Sequence, residues 1–180
     1  MRALFAAIAV ALLLGNSAGA EDTDKVEWKE FASKAGRFKV LMPGAPRLDE
    51  VETESDFGPG VLHMNSVQKG EADYGANYSD FPAGIKTVPL KTILDSSRDG
   101  AIENLKGKLI GEKDIALGAV TGRDIKIDVG DGKRVFRARV FLVDQRLYQV
   151  VVFGPREVTT SKESDRFLDS FTLQTPAPGP

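Results

Sequence analysis

Four runs of alternating apolar and polar residues follow one another between Lys108 and Phe153, and they constrain the fold more than any other feature. The runs are Lys108 to Leu117, Ala119 to Val129, Arg134 to Val143 and Arg146 to Phe153. Period two sends successive side chains to opposite faces, so each run is predicted as a strand. Gly130-Asp131-Gly132 and Asp144-Gln145 leave room only for tight turns, and tight turns join antiparallel neighbours. The last run carries Val150-Val151-Val152-Phe153 without a polar break. A strand apolar on both faces belongs at the centre of a sheet, with a layer above and below it.

The first half adds further strands and one helix. Arg37 to Met42 reads as a strand ended by Pro43-Gly44-Ala45-Pro46. Leu48 to Phe57, Val61 to Gln68 and Ala72 to Phe81 also read as extended. From Pro89 to Lys106 the period changes: Leu90, Ile93, Leu94, Ala101, Ile102 and Leu105 share one helical stripe, and Gly107 fits the stop. A second helix begins near Thr159 or Thr160, with Phe167, Leu168 and Phe171 on one side. Hairpin-linked strands with a central and a final helix give an α+β chain. Trp28, Phe31 and Phe38 come early and Phe153, Phe167 and Phe171 late. They are expected to meet in one core, because the two ends of a domain usually do.

The first twenty residues read as an export signal. Arg2 precedes an apolar run from Ala3 to Leu14, and Ala18-Gly19-Ala20 supplies a small-x-small site before Glu21-Asp22. The run is shorter than the roughly 20 residues a bilayer span needs. Cleavage is expected after Ala20. That gives a signal peptide at 1–20, one α+β domain over 21–174 and a Pro- and Gly-rich disordered tail over 175–180. No second long apolar run follows, so no stable membrane insertion is expected. The chain has no cysteine, which removes a thiol nucleophile, a thiolate zinc site and lipid attachment at a cysteine. The expected location is the bacterial periplasm or the secreted fraction. Lys and Arg number 24 against 26 Asp and Glu, so the basic excess of a nucleic-acid binder is missing.

Candidate chemistry is sparse. His63 is the only histidine, and no Gly-x-Ser-x-Gly surrounds any serine, so it reads as a surface or half-buried sheet residue. Glu50, Glu52, Glu54 and Asp56 recur at every second position. On a strand they share one face at about 7 Å spacing. This is either a contact stripe for a partner or cation, or a charged edge strand that discourages aggregation. Arg137 and Arg139 share a strand face with Lys133. They form either an anion contact or a face paired with carboxylates of neighbouring strands. Asp124, Asp128 and Asp131 lack the spacing of a calcium loop and read as hairpin and strand-end residues. Tyr74, Tyr78 and Tyr148 line a groove or pack in the core; the sequence leaves both open. No catalytic, cofactor or metal-binding residue is assigned.

Several segments carry a family resemblance. They are Trp28-x-x-Phe31, Gly36-Arg37-Phe38-Lys39-Val40-Leu41-Met42-Pro43-Gly44-x-Pro46, the Tyr74 strand ending in Asp80-Phe81-Pro82, Gly122-Arg123-Asp124, Arg146-Leu147-Tyr148, and Arg166-Phe167-Leu168-Asp169-Ser170-Phe171. Together they resemble exported bacterial proteins of the PsbP-like fold. The resemblance implies an antiparallel β-sheet sandwiched between helices and a binding or assembly role; separately, no cofactor is expected. The expected function is an exported, non-enzymatic accessory domain whose partner is an unknown envelope protein or a small ligand. The alternatives are a hydrolase built from Asp, Glu, Lys or Ser, and a metal-linked accessory protein. A fold by itself does not decide among them.

Overall fold

A computed structural model describes residues 27–55 and 58–174. The strands, numbered in chain order, are β1 (Lys29–Ser33), β2 (Phe38–Met42), β3 (Arg47–Ser55), β4 (Gly58–Lys69), β5 (Ala72–Asp80), β6 (Lys108–Leu117), β7 (Val120–Val129), β8 (Arg134–Val143), β9 (Arg146–Pro155) and β10 (Thr172–Leu173). The helices are α1 (Leu90–Leu105), α2 (Arg156–Thr159) and α3 (Lys162–Asp169), with a 3₁₀ turn at Ala83–Thr87. Among the described residues, seven strands form an antiparallel sheet in the order β3-β4-β5-β9-β8-β7-β6, and β1, β2 and β10 form a small second sheet. The expected export signal, the tail over 175–180 and Asp56 lie outside the described residues.

β9 is the middle strand, as its unbroken apolar run requires. Its two faces serve two cores. Leu147 and Phe153 join Phe136, Ala138, Val140, Ile125 and Ile127 beneath Ile93, Leu94, Ala101 and Leu105 of α1. Tyr148, Val150 and Val152 join Tyr74, Tyr78 and Phe141 beneath Phe38, Val40 and Met42 of β2, and Phe167, Leu168 and Phe171. The second cover is therefore a small sheet with one short helix, not helices alone. The reason is local: β2 alternates buried and half-buried residues, so it presents Phe38, Val40 and Met42 as a flat apolar face. The early and late aromatics meet as expected, with Phe38 and Phe171 ring centroids 5.3 Å apart. Phe153 does not join them, because alternation sends it to the α1 side.

A single cross-strand row runs through the whole large sheet: Glu50, His63, Tyr78, Tyr148, Phe141, Gly122 and Ile115. Such rows are the unit of sheet stabilisation. Gly122 is the gap that admits the Phe141 ring: a Cβ there would lie 2.3 Å from Phe141 Cδ1 and 2.5 Å from the Val140 carbonyl oxygen.

α1 ends in a left-handed Lys106, one residue before the expected glycine. Gly107 has another duty, since a Cβ there would meet Ile127 Cγ2 at 2.4 Å. α3 is capped by Ser161, whose Oγ accepts from the Ser164 amide at 3.2 Å. Trp28 donates from Nε1 to Glu163 at 2.8 Å, and Lys69 pairs with the same carboxylate. The start of the described chain is thereby tied to α3.

Ion pairs hold α1 to the sheet. Arg123 of β7 pairs with Asp95 of α1 and with Glu112 of β6, 2.8 Å away, while Arg98 reaches Glu112 at 3.0 Å. Hydrogen bonds from Lys91 and then Arg123 hold the Asp95 carboxyl at about 2, below its ordinary value of 3.8. A depressed carboxylate stabilises the fold above its unfolded value and loses that contribution as pH falls through the folded one. Asp95→Asn is therefore expected to be less stable than the wild type by about 1 kcal/mol at neutral pH after solvent screening. Urea titrations should show that difference shrinking as the pH is lowered from 3.8 towards about 2. Gly122→Ala is expected to cost about 2 kcal/mol by overpacking against Phe141 and the Val140 carbonyl, read as a lower urea midpoint at unchanged slope.

Candidate functional site

The two sets of residues singled out in the sequence lie far apart in the topology and behave differently. Arg137 and Arg139 stand on β8, on the face under α3. Arg137 reaches Asp165 at 2.6 Å and Asp124 at 3.3 Å. Arg139 reaches Asp124 at 3.3 Å and Asp169 at 2.7 Å. Asp124 is 1 % exposed and is shared by both arginines. Burial opposes the Arg137 charge, yet the hydrogen bond to Asp165 and the adjacent Asp124 carry its pKa above the ordinary arginine value. Arg137 Nε is buried without a partner among the described residues. The protein's own carboxylates thus occupy both guanidinium groups, and the pair joins α3 to β7 and β8.

Breaking such a buried network leaves a charge uncompensated. Asp124→Ala is expected to cost about 3 kcal/mol in urea unfolding. Adding phosphate should leave the wild-type melting temperature unchanged, whereas an open anion site would raise it.

Glu50, Glu52 and Glu54 lie on β3, the edge strand, and all three are exposed. Both readings of the stripe remain compatible with this placement. The cross-strand partner of Glu50 is His63, with Nδ1 3.0 Å from Oε1. The imidazole is 31 % exposed and stacks on Tyr78 at 4.4 Å. Arg146 covers the same phenol ring with its guanidinium carbon 4.5 Å from the centroid. Tyr74, Tyr78 and Tyr148 are core residues, and the Tyr148 hydroxyl donates to the Gly36 carbonyl at 2.9 Å. Leu48, at 66 % exposure, and Val61 leave apolar surface beside the acidic stripe.

Three depressions meet at this end of the molecule. An open groove is lined by Glu52, Thr53, Glu54, Pro59, Gly60 and Val61. It shares Thr53, Glu54, Pro59 and Gly60 with a narrow slot that also contains Leu62, Phe81, Leu147 and Gln149. The slot shares Asp80 and Phe81 with a polar basin containing Arg37, Lys86, Asp144 and Arg146. Asp80 receives both arms of Arg146 at 2.6 Å, and that hydrogen bonding holds its carboxyl below the ordinary carboxylate range. Arg37 and Lys86 have no ion-pair partner among the described residues. Arg37 sits in the left-handed region, at φ 56°. Its turn is held by Arg146 donating to the Ala35 carbonyl and by the Gln174 amide donating to the Arg37 carbonyl. The surface therefore runs from Arg37 and Lys86, over a slot, to Glu52 and Glu54.

Sequence reasoning marked only the acidic flank of this surface. Gln149 escaped it, although a lone carboxamide in an otherwise apolar central strand is a readable signal. The basin escaped because Arg37, Lys86 and Arg146 come from a turn, a 3₁₀ segment and the start of β9, far apart in sequence.

No family model matches this chain, and no curated protein matches it. Among solved structures it is similar to the solution structure of cyanobacterial PsbP (CyanoP) from Synechocystis sp. PCC 6803. The TM-score is 0.57 at 13 % identity, over 89 % of this chain and 98 % of that one. At that identity the likeness shows the fold, which is PsbP-like.

Proposed function

We propose that this protein is an exported accessory domain that binds an envelope partner through the end bearing the three depressions. One observation carries the reading: the depressions are contiguous through shared residues, and their outer flanks have opposite charge. Arg37 and Lys86 stand on one side, Glu52 and Glu54 on the other. A bipolar surface fixes the orientation of a partner and steers its approach. Export is supported by the charged, apolar, small-residue order of positions 1–20. An accessory role is supported by the PsbP-like fold, and the near-balanced charge argues against nucleic acid as the partner. Among the described residues no helix is long and apolar enough to cross a membrane.

Site-specific photo-crosslinking tests the reading. A crosslinker at Glu52 should capture a defined envelope partner, while one at Glu103 on α1 should not. Arg37→Glu with Lys86→Glu should lower the yield severalfold, most strongly at low salt. Equal capture from Glu52 and Glu103 would overturn the proposal. So would substrate turnover by the purified protein in a hydrolase panel.

A further inference from the structure

The polar basin is a space of about 470 Å³, and two cations from distant parts of the chain line it. Arg37 comes from the turn before β2 and Lys86 from the 3₁₀ segment, and both are exposed. Neither has an ion-pair partner among the described residues. Arg98, Arg123, Arg137 and Arg139, by contrast, each hold a carboxylate of the protein. Arg37 also stands where a side chain has a cost. At φ 56° its backbone is left-handed, which glycine adopts freely. The glycine of this turn is one residue earlier, where it is needed for room: a Cβ at Gly36 would lie 2.5 Å from Phe38 Cε1. The backbone around Arg37 is pinned, because its carbonyl accepts from the Gln174 amide at 2.8 Å and the Ala35 carbonyl accepts from Arg146 at 2.6 Å. Lys86 is fixed in turn by Ile85, which is fully buried. Both cations are therefore carried on anchored backbone.

The other charges of the lining select what can enter. Asp80 feels the charge of Arg37, but its two oxygens are bound by Arg146 at 2.6 Å each, so Asp80 and Arg146 neutralise one another. That leaves Arg37 and Lys86 against Asp144: two cations, one carboxylate, and a balance of one positive charge. A monoanion matches this balance. A dianion such as phosphate would meet added repulsion from Asp144 and Asp80. The planar fork of an arginine receives a carboxylate through two parallel hydrogen bonds, and a lysine adds a point charge beside it. Phe81 and Val143 give the basin an apolar part that suits a short hydrocarbon stem.

We infer that the basin binds a carboxylate on a short apolar stem, with Arg37 and Lys86 as its cationic partners, and that this carboxylate is an acidic side chain of the docking partner. The inference deepens the proposed binding role and rests on it for the source of the carboxylate alone.

NMR titration of the purified protein with butyrate decides the first part. Butyramide serves as the neutral counterpart and inorganic phosphate, at mildly alkaline pH, as the dianion. Butyrate should shift the backbone amide signals of Arg37, Lys86 and Gln145 saturably, and butyramide and phosphate should not. Arg37→Gly places glycine at the left-handed position, so it should melt no lower than the wild type while binding butyrate at least severalfold more weakly. If the glycine variant melts lower, Lys86→Gln, a change at an exposed side chain, carries the same test. No saturable shift with butyrate, equal shifts with butyramide, tighter binding of phosphate, or unchanged butyrate affinity in both variants would each overturn the inference. The crosslinking experiment decides the source. Capture from Glu52 should fall severalfold in Arg37→Gly. Unchanged capture beside an intact butyrate titration makes the ligand a free small acid and overturns its assignment to the partner. A failed titration with intact capture sinks the basin and leaves the partner standing; an intact titration with no capture from wild type sinks the partner and leaves the basin.

Discussion

The burial of β9 on both faces is the constraint from which the rest of the molecule follows. A strand with Val150 and Val152 on one side and Leu147 and Phe153 on the other exposes apolar surface in two directions. In this sheet three strands flank it on each edge, and a cover lies on each face. α1 supplies one cover through an amphipathic stripe. The other is assembled from β2, which is far away in sequence, and from α3. The chain ends are brought together by this need, and Trp28, Glu163 and Lys69 record the contact in hydrogen bonds.

Electrostatics repeats the two-sided theme on β7. Arg123 and Asp124 are neighbours, so alternation sends them to opposite faces. Arg123 meets the acids of α1 and β6, and Asp124 meets the arginines under α3. Each cover is thus tied to the same pair of residues. Ion pairs of this kind specify position more than they add stability, because desolvation offsets much of the Coulomb gain. Arg137 and Arg139 share Asp124 and each has a second carboxylate partner on α3.

How much of the site was legible follows from the distances over which its parts are gathered. Glu50, Glu52 and Glu54 lie on one strand, and period two was enough to place them on one face. The slot draws on β3, β4, β5 and β9, and the basin on segments as far apart as Arg37, Lys86 and Arg146, so no local pattern announces either. Arg137 and Arg139 illustrate the opposite case. Their shared face was readable, but their partners Asp165 and Asp169 come from a helix whose docking only the tertiary structure shows.

Local periodicity by itself determined strands β2 to β9, the two main helices, the antiparallel class and the central place of β9, because each depends on side chains a few residues apart. The tertiary structure alone decided that a small sheet would share the second cover with α3, that Phe153 would leave the other aromatics, and that three depressions would merge at one end. Those outcomes depend on which apolar faces compete for the same buried area and on which charges find partners across the sheet. Such choices are made between residues that the chain keeps far apart until it folds.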